Sequence, residues 1–93
     1  MRIKDRKLLD LYINAPCLVC FKMAGTCAHH IKSKGSGGDD VDHNLIALCP
    51  EHHTEVHMKG LQEFANKYIQ VASRLRVKGW EQDGNGKWRY YPF

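Results

Sequence analysis

Apolar residues change their period several times along the 93-residue chain. Leu8, Leu9, Tyr12 and Ile13 give the start of the chain a partly apolar face. Asp5 can cap that segment and Asn14 with Pro16 can end it, which predicts a short helix reaching about Ile13. Cys17-Leu-Val-Cys20 then reads as a tight turn. Thr26 to Ser33 alternates weakly and predicts a strand, and the short apolar run Asn44 to Leu48 (NLIAL) predicts its hairpin partner. Between them, Lys34 to Asp42 (KGSGGDDVD) is a glycine-rich polar loop with no packing signal. Cys49-Pro50 opens a helix, because proline suits the first helical position and Glu51 complements the helix dipole. That helix should stop near Lys59-Gly60. Leu61, Phe64, Tyr68, Val71 and Leu75 recur at spacings of three and four, a core-facing stripe that predicts one helix from Leu61 to about Leu75. After Gly79 the period becomes two. If Trp80 pairs with Tyr90, the loop Gly84–Gly86 has three residues and Trp80, Trp88 and Tyr90 share a face.

These elements predict a small α+β fold, one domain over residues 1–93, with a core at about 17–68 and a C-terminal hairpin at about 79–92. A chain this short lies near the lower limit of what a single core stabilises, so a metal or disulfide staple is expected. The formal net charge of +4 suits a polyanionic partner. No apolar run approaches a membrane span, and Asp10 interrupts the apolar part of the basic N-terminal segment. A cytoplasmic location is therefore expected, in which the four cysteines stay reduced and bind metal; a disulfide framework is the alternative for a secreted chain.

All six histidines lie between His29 and His57. His53 and His57, four apart on the predicted helix, share a face and can grip one ion. Phosphodiester cleavage needs a base for water and positive charge for the phosphate and the departing oxygen. His29, His53 and His57 can supply three ligands around an open position, and His30, facing the other way along its strand, can supply the base. His43 lies outside this pattern and reads as a solvated loop residue, as do Asp39, Asp40 and Asp42.

The constellation His29-His30, Asn44, His53 and His57 resembles the HNH endonucleases, and among them the small zinc-containing, phage-type members. The resemblance spans about Cys17 to Tyr68 and implies a ββα-metal core, a hairpin and helix clasping one catalytic ion. It implies that His30 activates water while His29 and His53 hold the ion, with His57 as an extra helical ligand. Asn44 would either fix the hairpin and base or approach the metal. Many family members have Asp where His29 stands, so the ion (magnesium, manganese, nickel or zinc) is open. The implied activity is hydrolysis of DNA to 5′-phosphate and 3′-hydroxyl ends, with a homodimer or phage machinery as candidate partners.

Cys17-x-x-Cys20 and Cys49-x-x-His52 read as two knuckles of one structural zinc site, with Cys27 the rival of His52 for the fourth position. Lys32, Lys34 and Lys59 flank the histidines and are candidates for phosphate contacts. The tail interleaves Lys78, Trp80, Lys87, Trp88, Arg89 and Tyr90, which suits either stacking on unpaired bases or closure of the core by the tryptophans. Two rival readings are a non-catalytic zinc-dependent nucleic-acid-binding module and a metal-sensing or redox protein.

Overall fold

The computed structural model describes residues 2–91, the side chain of Lys34 excepted. Its helices are α1 (Arg6–Asp10), α2 (Pro50–Lys59), α3 (Leu61–Lys67) and α4 (Ile69–Val77). Its strands are β1 (Cys27–His30), β2 (Leu45–Leu48), β3 (Trp80–Gln82) and β4 (Trp88–Tyr90). They form two antiparallel two-stranded sheets, β1 with β2 and β3 with β4, giving a small α+β fold. Among the described residues, no helix is long and apolar enough to cross a membrane.

The Asp5 side chain accepts from the Leu8 amide and starts α1, which stops at Asp10; hydrogen-bonded turns carry the chain on to Asn14. In the first hairpin His29 opposes Ile46 and His30 opposes Leu45. Both faces of β2 are covered, with Leu45, Ile46 and Leu48 buried, which is why this strand reads as a short continuous apolar run. Pro50 occupies the first turn of α2, and Gly60 ends it at φ 85°, a conformation that glycine adopts without a side-chain clash. Val56 is the only buried residue of α2. This helix therefore buries little apolar surface of its own, and Glu51 and Glu55 tie it to Lys22, Lys67 and Tyr68.

The stripe from Leu61 to Leu75 does face the core, where Phe64, Val71 and Leu75 are fully buried. It is carried by two helices rather than one. Tyr68 at φ −116° and ψ 99° separates α3 from α4, and its hydroxyl donates to Glu55 on α2 at 2.7 Å. A tertiary hydrogen bond at a non-helical residue cannot be read from periodicity.

The second hairpin has the expected register, with Trp80 opposite Tyr90 and the Asp83–Lys87 hydrogen bond closing a three-residue loop. Pro92 lies outside the described residues. Trp80 and Trp88 are buried at the edge of the core, and the Trp80 indole donates to the His43 carbonyl at 2.6 Å. The tryptophans thus close the core and are not free to stack on bases. His43 is not a solvated loop residue either, because its ring stacks on Tyr90 with centroids 3.8 Å apart.

The loop between β1 and β2 departs most from expectation. Gly38 is buried so close to Lys32 that a Cβ would lie 1.7 Å from its carbonyl oxygen, so only glycine fits there. Asp40 is buried, 4% exposed. It accepts from Arg2 and from the Asp5 amide, and its own amide donates to the Ile3 carbonyl. The N-terminal segment therefore pins a loop whose composition suggests only solvation.

Candidate active site

Two clusters of metal-ligating side chains meet on α2. In the first, ligand atoms of Cys17, Cys20, Cys49 and His52 all lie within 4.8 Å of one another. The Cys17–Cys20 turn brings two thiols, and the start of α2 brings Cys49 and His52. The His52 Nδ1 is 3.2 Å from the Cys49 sulfur and 3.7 Å from that of Cys17. Cys17 and Cys49 are fully buried and belong to the hydrophobic core. Burial pushes the Cys17 thiol up, but backbone amides of Cys20, Cys49 and Val19 outweigh it and bring it down to about 6. Burial pushes Cys49 up to about 12. Three thiols this close cannot all ionise without a cation among them, and three sulfurs plus one imidazole are a donor set that fits a tetrahedral ion such as zinc.

In the second cluster, ligand atoms of His29, His53 and His57 lie within 4.8 Å of one another. The strand turns His29 toward α2, where His53 and His57 are one helical turn apart. The His29 ring stands edge-on to both, with centroids 5.0 and 5.2 Å away. Burial, and then the nearby His53 and His57, push the His29 pKa down to about 3. His53 is lowered too, by burial and then by His57 and His30. At neutral pH, His29 therefore presents a lone pair rather than a proton, as a metal ligand must. His57 is exposed, and all three rings line an open pocket of about 740 Å³.

His30 lines the same pocket but points its Nε2 away, to the Asp40 carboxylate at 2.7 Å. The hydrogen bond from His30, then that from the Asp5 amide, lowers the Asp40 carboxyl to about 2, so it is an ionised acceptor. The His30 Nε2 therefore carries the hydrogen, and in the neutral ring Nδ1 keeps the lone pair a base requires. Composition gave no hint of Asp40, since its partners lie ten to thirty-eight residues away. Arg6, on α1, also lines this pocket and was unmarked in the sequence.

Asn44 is buried and spends its amide on backbone. Its oxygen accepts from the Lys32 amide at 2.7 Å, and its nitrogen donates to the Lys32 and Asp39 carbonyls at 3.0 Å. Of its two anticipated roles, these contacts match fixing the loop beside His30 rather than approaching a metal. Cys27 stands apart from the thiol cluster. It is half-buried, and its sulfur lies 3.5 Å from the His53 Nδ1, on the histidine side.

The candidate phosphate contacts are less concentrated. Lys59 pairs with Glu55 at 2.9 Å and does not line the histidine pocket. Lys32 is exposed and lines a neighbouring groove, and the side chain of Lys34 lies outside what the structure describes.

A family model described as "Putative HNHc nuclease" matches residues 2–81. The chain belongs to this HNHc nuclease family. Membership in a nuclease family implies a nucleic-acid substrate, and the match runs from the N-terminal segment that pins Asp40 into β3. No curated protein and no solved structure matches the chain.

Proposed function

We propose that this protein is a metal-dependent HNH endonuclease that hydrolyses DNA phosphodiester bonds. The observation that carries the proposal is an open pocket with three mutually facing imidazoles in its wall and, beside them, a fourth held by a buried carboxylate. His29, His53 and His57 would hold one divalent ion. When bound, that ion supplies positive charge to the scissile phosphate and the departing 3′ oxygen. His30 takes the proton of the attacking water on Nδ1, and Asp40 stabilises the imidazolium that results by accepting from Nε2–H. Asn44 holds the backbone at Lys32 and Asp39 and so keeps the loop carrying Asp40 in place. Arg6 reaches the pocket as a further cation for phosphate, and Lys32, Lys34 and Lys59 add sequence-independent attraction. The ends produced are a 5′-phosphate and a 3′-hydroxyl.

Cys17, Cys20, Cys49 and His52 would hold a zinc ion whose role is structural: it joins the turn before β1 to the start of the helix that carries His53. A plasmid-nicking assay with a panel of divalent ions tests the activity. Nicking by the parent and its loss in His30→Ala are expected. DNA binding without cleavage across the whole panel would instead return the non-catalytic binding module.

A further inference from the structure

A second hollow of about 820 Å³ lies beside the histidine pocket, and the two meet at Ile31, Ser33 and Leu61. One wall is the segment after β1, whose Lys32 backbone is clamped by Asn44. The other is β4 and the residues around it, with Lys87, Trp88, Arg89, Tyr90 and Tyr91. No Asp or Glu lines the groove among the described residues. Lys32, Lys87 and Arg89 are all exposed, and the Arg89 Nε–H donates to Asp83 at 2.8 Å. Tyr91 is half exposed, whereas Tyr90 has one face covered by His43 and Trp88 is buried. The groove therefore offers three cations and a half-exposed tyrosine beside the candidate cutting site.

We propose that this groove is a binding track for an unpaired nucleic-acid strand, continuing the substrate path out of the histidine pocket. Lys32, Lys87 and Arg89 take successive phosphates, and a base stacks on Tyr91. The wall from Lys87 to Tyr91 follows the segment matched by the family model. The track rests on the nuclease reading only for its direction toward the histidines.

Fluorescence anisotropy with a labelled single strand of about 15 nucleotides, without added divalent ion, tests the track. The double variant Lys32→Ala/Lys87→Ala should weaken binding about tenfold and flatten the salt dependence of log Kd by about 1.4, the contribution of two phosphate contacts. The control Lys4→Ala/Lys7→Ala removes the same charge from exposed positions elsewhere and should change Kd less than about twofold. Tyr91→Ala should weaken the single strand about fivefold or more and a duplex of equal length less than about twofold. Equal losses in the two lysine pairs, or equal effects of Tyr91→Ala on both DNA forms, would overturn the proposal. Because no cleavage is read, failure of the nuclease reading would leave this outcome unaffected.

Discussion

On our reading, the two clusters on α2, which use the same residue type one position apart, serve opposite purposes. His52 turns toward three thiols, two of which are buried in the core. His53 turns toward His29 and His57 in the wall of an open pocket. A closed set of four ligands suits an ion that never leaves. An open set of three suits an ion that must also reach a substrate. The helix between them buries only Val56, so on our reading the thiol site supplies the rigidity that its apolar face lacks. Adjacent residues would then divide the work, His52 anchoring the helix and His53 using that anchorage.

The largest expected effect falls on the closed cluster. If the thiol cluster holds zinc as proposed, Cys49→Ser removes a ligand of an ion whose binding would contribute on the order of 10 kcal/mol, as much as the whole stability of a small domain. Circular dichroism should show a largely unfolded chain, and a folded variant with near-parent thermal stability would break the contrast. On the open side, His30→Ala should leave the fold and metal content in place and slow DNA cleavage by about 10²–10⁴-fold. Asp40→Asn should slow it about 10–100-fold, since the neutral amide oxygen accepts from Nε2–H more weakly and no longer balances the imidazolium. An Asp40→Asn enzyme with parent activity would show that the carboxylate only ties down the N-terminal segment.

The smallest effect is a pH dependence. The His29 pKa, near 3, lies below that of a histidine in the unfolded chain, so the unfolded chain takes up the proton first as pH falls. The stability this adds is complete above about pH 6.5 and is lost progressively toward about pH 3. With the exchangeable ion dialysed away, urea titrations should show about 2 kcal/mol of this loss by about pH 5. His29→Gln should flatten the slope, and an unchanged slope would remove His29 as its source.

Both clusters could be found in the sequence because their ligands come from local motifs. Cys17-x-x-Cys20, Cys49-x-x-His52 and His53-x3-His57 each fix a geometry through a turn or a helix face, and only the pairing of motifs is long-range. The hairpin register also followed from local signals, through a glycine turn and period-two aromatics. What escaped depends on contacts between distant segments. Asp40 looks solvated until Arg2 and the Asp5 amide are brought to it, Tyr68 looks helical until Glu55 engages it, and Arg6 reaches the pocket only because α1 packs on β1. His43 likewise looks solvated until Tyr90 stacks on it from the far end of the chain.

The claim that His52 and His53 serve different ions is tested most directly by metal analysis of two single variants, before and after dialysis against a mild chelator. The parent should carry two ions per chain and keep one, a zinc, through dialysis. His53→Ala should lose the exchangeable ion and retain the zinc, while His52→Ala should weaken the retained zinc itself. One ion per chain in the parent, or the same ion lost in both variants, would contradict the division of the helix into two metal sites.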